Sequence, residues 1–151
     1  MRRGIAIKPA GAWNAIEATD RVVLGADERQ RRRIVLTGEK GTTFLLDLER
    51  PVTLHDGDGL VLDDGRVVQV QGAPEPLIEI QSRSATDMVR IAWHIGNRHT
   101  DLQIVGDGLR IRRDHVLEGM LVQMGARLTA IDAPFDPEAV PQTADTDNHD
   151  H

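Results

Sequence analysis

The chain of 151 residues contains no cysteine and no tyrosine, and it has only two phenylalanines and two tryptophans. The lack of cysteine excludes disulfides, thiolate nucleophiles, iron–sulfur clusters and cysteine-type zinc sites. Any bound metal must therefore be held by His, Asp or Glu. With so few aromatic side chains, Leu, Ile and Val have to fill the core.

The sequence also lacks a surplus of positive charge and a long apolar run. The net charge is −6, and six of the 24 acidic residues lie in residues 132–151, which contain no Lys or Arg. The first 131 residues are therefore neutral, which argues against a dedicated nucleic-acid binder. No segment approaches the roughly 20 apolar residues of a membrane span, and Lys8 and Pro9 interrupt the apolar N-terminus early. We expect a cytoplasmic protein that acts without a membrane or nucleic acid.

Residues 1–73 are predicted to form a small all-β domain that serves partner or peptide binding. Short β-branched runs recur between Gly and Asp clusters, and they lie at 4–8, 21–24, 32–37, 42–48, 59–62 and 66–71. Hairpin turns are expected at 38–41 and at Asp63-Asp64-Gly65, where Gly tolerates positive φ. No run in this half has a sustained helical period. The pattern predicts a β-sandwich or an open barrel.

Residues 77–131 are predicted to form a ferredoxin-like domain, which makes the whole chain α+β. The stiff segment Ala-Pro-Glu-Pro at 73–76 marks the boundary. Ser84 begins a capping box before a first helix that Gly96 should end in a left-handed conformation, and Asp114 and Gly125 bound a second helix. With the flanking strands the order is βαββαβ. Residues 132–151, acidic and rich in proline, are expected to form a flexible tail.

The predicted topology places three histidines at one edge of the second domain. The first helix ends where the second begins, so His94, His99 and His115 should share that edge. Two of them also have a structural explanation. His94 can complement a helix dipole, and His115 can be a bystander at a helix N-terminus. His99 lies in a polar, turn-forming segment between two regular elements, where function concentrates.

The stretch Trp-His-Ile-Gly-Asn-Arg-His at 93–99, with Leu-Gln-Ile at 102–104 and Asp-His-Val-Leu-Glu-Gly-Met-Leu at 114–121, resembles the UreE-type urease accessory nickel chaperones. The likeness runs from the N-terminal β domain to the His-containing tail. It implies a non-enzymatic homodimer that binds Ni²⁺ at its interface and passes it to the urease-assembly GTPase UreG and the urease apoprotein maturation complex. By this resemblance His99 matches the bridging ligand, His94 and His115 match secondary histidines, and His149 and His151 match variable tail ligands.

Ligand chemistry is compatible with such a carrier. Two copies of His99 across a symmetry axis, with tail imidazoles added, supply three or four neutral nitrogen ligands. Imidazole also accepts Zn²⁺ and Cu²⁺, so the choice of nickel comes from the resemblance alone. Two positions depart from the family pattern: Arg113 stands where some members have a further His, and Asp101 stands where many have Pro.

Two other functions remain open from the residues. A metal-dependent hydrolase could use His94, His99 and His115 around zinc, with Asp101 or Asp114 as the base, although no His-Glu-x-x-His motif occurs. An RNA-binding ferredoxin-like module could use the basic run at 29–33, although the predicted strands of the second domain lack aromatic stacking residues. Asp27 and Glu28 precede that basic run, which favours a solvated strand face or a protein-docking surface.

Overall fold

The structure, a computed structural model, describes residues 1–138. The tail histidines His149 and His151 lie outside the described residues, so their expected role as ligands stays a prediction. Within residues 1–138, no helix is long and apolar enough to cross a membrane.

The first half forms one six-stranded sheet of mixed direction, in the order β2-β6-β5-β1-β4-β3. The strands are β1 Arg2–Lys8, β2 Asp20–Leu24, β3 Gln30–Thr37, β4 Thr43–Thr53, β5 Gly59–Leu62 and β6 Val67–Gly72. Two short 3₁₀ turns, Ala15–Glu17 and Ala26–Arg29, were not predicted. Its core is aliphatic except for Phe44, as the composition requires. Both predicted hairpins are confirmed, with Gly41 and Gly65 at φ 93° and 89°.

Asp20 links the two ends of this sheet. Its buried carboxylate accepts hydrogen bonds from the backbone N–H groups of Lys40 (2.9 Å) and Thr42 (3.1 Å) in the β3–β4 hairpin, and from that of Arg21 (2.7 Å). Burial alone would raise the pKa of Asp20, but these backbone donors outweigh it and lower the pKa to about 2. A further bond joins Glu39 N–H to the Arg21 carbonyl at 2.9 Å. A single curled sheet tied in this way is an open barrel, the second of the two predicted alternatives.

The second half has the predicted ferredoxin-like arrangement. Its elements are β7 Pro74–Gln81, α1 Ala85–Asn97, β8 Gln103–Val105, β9 Gly108–Arg112, α2 His115–Gln123 and β10 Arg127–Pro134. The antiparallel sheet has the order β10-β7-β9-β8. The two helices pack on the sheet face that carries Ile78, Ile80 and Ile111, and they contribute Ile91, Ile95, Leu117 and Leu121 to the shared core.

The predicted limits of this half were wrong at both ends. The stiff segment predicted to mark the boundary is the beginning of β7, since Pro74, Glu75 and Pro76 pair with residues 132–134 of β10. The flexible tail was predicted to start at residue 132, but β10 continues to Pro134 and Phe135 is completely buried. The prolines made these segments look irregular. Pro74 and Pro76 lie at the start of β7 and Pro134 lies on the edge strand β10, and at both kinds of position a missing N–H is tolerated.

A buried arginine joins the two halves. Arg29, 1% exposed, donates from its guanidinium to the Asp136 carboxylate, to the Phe135 carbonyl and to the Leu54 carbonyl, the last at 3.4 Å. Its Nε has no hydrogen-bond partner among the described residues. A buried charge is tolerated when a counter-charge and further acceptors replace water. Residues 135 and 136 are therefore structural parts of the junction.

Candidate metal-binding edge of the ferredoxin-like domain

The C-terminus of α1 places His99 in an unusual backbone conformation. Arg98 is the C-cap, and the next residue, His99, has φ 58°, the only non-glycine with positive φ among residues 1–138. The His99 N–H donates to the Gly96 carbonyl (2.9 Å), and the Thr100 N–H donates to the Ile95 carbonyl (3.3 Å). These two bonds are the Schellman motif, in which the left-handed position usually belongs to Gly.

The prediction that Gly96 ends the helix was therefore wrong. Gly96 lies inside α1, which continues to Asn97, and it is absent from the glycines with positive φ. Gly96 was the expected residue because glycine adopts the left-handed conformation with little strain. In the structure His99 has that conformation instead. A histidine in the place of a glycine at an exposed turn indicates a role for the side chain.

The three edge histidines differ in their surroundings. His99 is exposed, and its imidazole makes no hydrogen bond among the side-chain contacts of residues 1–138. The imidazole of His94 is half-buried in the last turn of α1 and packs edge-on against Trp93, with ring centroids 5.1 Å apart. His115 is exposed and is the first residue of α2, next to the N-cap Asp114. The topology puts all three at the expected end of the domain.

One chain does not assemble a closed metal site from its described residues. Within residues 1–138, no three His, Cys, Asp or Glu side chains lie close enough together to hold one ion. The hydrolase alternative needs His94, His99 and His115 around one zinc, and the described chain does not bring them together in that way. An ion bound at His99 needs further ligands, either from the tail or from another molecule.

The charged residues near this edge are already engaged. Arg112 contacts Glu75 (2.8 Å), Asp27 (3.4 Å) and, more distantly, Asp101 (3.9 Å), and its guanidinium lies 4.9 Å from the centre of the Phe135 ring. The hydrogen bond that Arg112 donates to the Glu75 carboxylate raises the pKa of Arg112. Asp101 is exposed, and among residues 1–138 its carboxylate makes only this distant contact with Arg112.

Arg113, the position where some family members have a further His, is held by a neighbour. Its guanidinium donates two hydrogen bonds of 3.1 Å to the Glu118 carboxylate. The same carboxylate accepts from the Asp114 N–H at 2.8 Å. Arg113 therefore supports the start of α2 and supplies no ligand.

The segment 135–138 leads the chain to the histidine edge, which the sequence prediction missed. Asp136 N–H donates to the Gln103 side chain (3.1 Å), and Glu138 N–H donates to the Leu102 carbonyl (2.7 Å). The described chain thus ends in contact with Leu102, which lies three residues after His99 in the sequence. One available signal was Phe135, the only aromatic residue after Trp93, since a lone aromatic in a polar stretch indicates a packed anchor.

An uncovered apolar stripe runs along α1 toward His99. Val89 and Trp93 are four residues apart on one helix face, and they are 68% and 63% exposed. On α2, Val116 and Val122 are exposed as well, at 69% and 59%. Large exposed apolar side chains that lie together on one face mark an interaction surface.

These features define a class of protein: an open β-barrel followed by a ferredoxin-like domain that presents an exposed histidine beside an apolar helix face. Comparison with known proteins identifies the family. Residues 5–73 match the model of the N-terminal domain of the UreE urease accessory protein, and residues 75–151 match that of its C-terminal domain. The chain belongs to the UreE family.

Individual relatives agree with this assignment. A urease accessory protein UreE from Rhodopseudomonas palustris strain BisB18 is 50% identical over 152 aligned positions, which cover 100% of this chain and 72% of that protein. Another from strain HaA2 is 54% identical, covering 80% of this chain and 56% of the relative. One from Beijerinckia indica is 45% identical, with 100% and 87% covered. The chain thus spans little more than half the length of some of these relatives.

Proposed function

We propose that this protein is a urease accessory metallochaperone that carries Ni²⁺ as cargo in a homodimer and delivers it to the urease maturation complex. Its role is accessory rather than catalytic. The observation that carries the proposal is His99: an exposed imidazole held at a left-handed helix end, in a chain whose described residues contain no complete metal site.

Dimerisation through the ferredoxin-like domain would complete the site. One exposed imidazole binds a divalent ion weakly, but a two-fold axis passing near His99 would supply a second imidazole from the other protomer. The apolar stripe of Val89 and Trp93 leads along α1 to this point and would be covered by the same contact. A metal shared across an interface can be released when the ligands separate, which suits delivery.

Other histidines would complete the coordination. The chain leaves the described region at Glu138, bonded to Leu102 close to the histidine edge, so we propose His149 and His151 as additional ligands. His94 and His115 are proposed as secondary ligands at the same edge. The nickel assignment and the recipients, the GTPase UreG and the urease apoprotein complex, rest on the family. Ligand chemistry alone would favour Cu²⁺ over Ni²⁺.

The test is a nickel titration combined with mass determination. For the unmodified protein we expect a dimer with one tight site per two chains, and for His99→Ala a folded dimer without that site. His55→Ala is the matched control because His55 is exposed and lies in the other half of the molecule. Truncation after Val140 should weaken binding only in part. A His99→Ala protein that binds nickel as tightly as the parent would refute the proposal.

A further inference from the structure

The N-terminal sheet has an exposed edge that the proposed function does not use. Strand β3 is the last strand of the order β2-β6-β5-β1-β4-β3, and it pairs on one side only, with β4. Its outer side therefore presents backbone N–H and C=O groups from Gln30 toward the hairpin, which Asp20 and Arg21 of β2 contact. An edge of this kind can accept another extended chain.

This edge carries a concentration of positive charge. Arg31, Arg32, Arg33 and the neighbouring Arg50 are all exposed, and none forms an ion pair among the described residues. The nearby carboxylate of Asp47 is engaged by Arg3 at 3.1 Å. In a chain of net charge −6, this is a local reversal of sign.

A bulge sets the arginines apart from an ordinary strand. Arg31 pairs with Val52 and Arg33 with Asp47, so residues 48–51 of β4, which include Pro51, lie opposite Arg32 alone. Bulges bend and twist a strand and redirect its side chains. Among residues 1–138, the guanidinium groups of Arg31, Arg32 and Arg33 donate one hydrogen bond, the long one of 3.5 Å from Arg32 Nε to the Glu49 carbonyl. The guanidinium groups are therefore available to an outside partner.

We propose that the β3 edge binds an extended acidic segment of a partner protein, which adds to the sheet as a further strand. Main-chain hydrogen bonds would supply affinity, and Asp or Glu side chains facing the arginines would supply selectivity. A nucleic acid fits less well because it cannot pair with a strand edge, and Phe44, the one aromatic residue of β3 and β4, is completely buried. The inference is separate from the metal site and does not depend on it.

The experiment measures binding of a fluorescent peptide, Thr-Asp-Val-Asp-Thr-Asp-Val-Asp, to the full chain by anisotropy. The double variant Arg31→Glu/Arg33→Glu should weaken binding at least tenfold. Arg83→Glu/Arg127→Glu, which changes two exposed arginines of the ferredoxin-like domain, should leave it unchanged. A peptide N-methylated at alternate residues should also lose at least tenfold, because it cannot form the strand ladder. Circular dichroism checks that each variant is folded.

Four results would overturn the proposal. Equal binding of the N-methylated peptide would mean that the charges act without the strand edge. Equal binding to both double variants would place the contact elsewhere. Binding only after truncation at Val140 would make the chain's own tail the occupant. Absence of binding, with aggregation of an Arg31→Ser/Arg33→Ser variant, would mean that the arginines only protect the edge from self-association.

Discussion

The two helices of the ferredoxin-like domain end in the same backbone motif with different residues. At the end of α2, Gly125 has φ 87°, and its N–H and that of Ala126 donate to the Val122 and Leu121 carbonyls, both at 3.0 Å. At the end of α1 the equivalent bonds are made from His99 and Thr100. Because the geometry is shared, the backbone alone does not explain why one position is Gly and the other His.

The difference separates what the fold needs from what the side chain does. A left-handed conformation costs an L-residue about 1 kcal/mol or more, and Gly avoids this cost. Gly125 adopts this conformation without strain, whereas His99 adopts it with a local strain that an interaction of its side chain would have to offset. Strain of this kind is found at functional sites. The comparison supports His99 as the first residue to test at this edge.

The largest expected effect is on metal binding when the imidazole is removed without changing the helix end. Asn tolerates positive φ better than most residues, so His99→Asn should keep the Schellman motif and the fold. We expect the nickel dissociation constant to rise at least about 100-fold, equivalent to about 2.7 kcal/mol. Calorimetric titration measures this. An affinity within threefold of the parent would show that the difference between the two helix ends has no bearing on metal.

The second effect is on stability, and it concerns Gly125 at the C-terminal end of α2. Gly125→Ala should destabilise the protein by about 1 kcal/mol, because the new Cβ must adopt the left-handed region. The Cβ would also lie 2.7 Å from Nη2 of Arg83, a flexible side-chain end that can move away. Urea unfolding measures the change, and nickel affinity should stay the same. Unchanged stability would mean that a residue with a Cβ fits the left-handed position of this motif without strain. The argument that His99 is strained would then fail.

The third effect is the reverse substitution. His99→Gly makes the two helix ends alike, and we expect a gain of about 0.5 kcal/mol. Relief of the left-handed strain contributes about 1 kcal/mol, and the greater freedom of Gly in the unfolded chain removes roughly half of it. The same variant should lose nickel binding. A loss of stability in metal-free urea unfolding would mean that the His99 side chain packs favourably and that the motif is not strained.

The sequence predicted both helices, their N-caps and the βαββαβ order, because capping residues and apolar periodicity act locally. Ser84 and Asp114 cap as expected, accepting from Asp87 N–H (3.1 Å) and Leu117 N–H (3.0 Å). It missed the end of α1 because the glycine rule favoured Gly96. It missed the packing of residues 135–138 because those contacts come from Arg29 and Leu102, distant in sequence. The ligand set remains a prediction, since it depends on a second chain and on tail residues.

The smallest effect distinguishes the N-termini of the same two helices. At α2, the hydrogen bond from Arg113 lowers the pKa of Glu118, burial opposes this, and the Asp114 N–H and the nearby His115 act in the same direction as Arg113. Because the pKa of Glu118 is lowered in the folded protein, its ionised carboxylate stabilises the fold at pH values above its ordinary pKa of 4.5. This contribution is lost as the pH falls through the lowered pKa. The α1 cap is the Ser84 hydroxyl, which does not titrate.

Hydrogen exchange from pH 6 to pH 3.5 should therefore show the first turn of α2 losing protection before that of α1, after correction for intrinsic rates. Glu118→Gln should reduce the difference without abolishing it, because the N-cap carboxylate of Asp114 stays in place in this variant. Equal loss at both helices in the parent protein would mean that Asp87, which pairs with Arg90 in the first turn of α1 at 3.3 Å, matters as much as the Glu118 network.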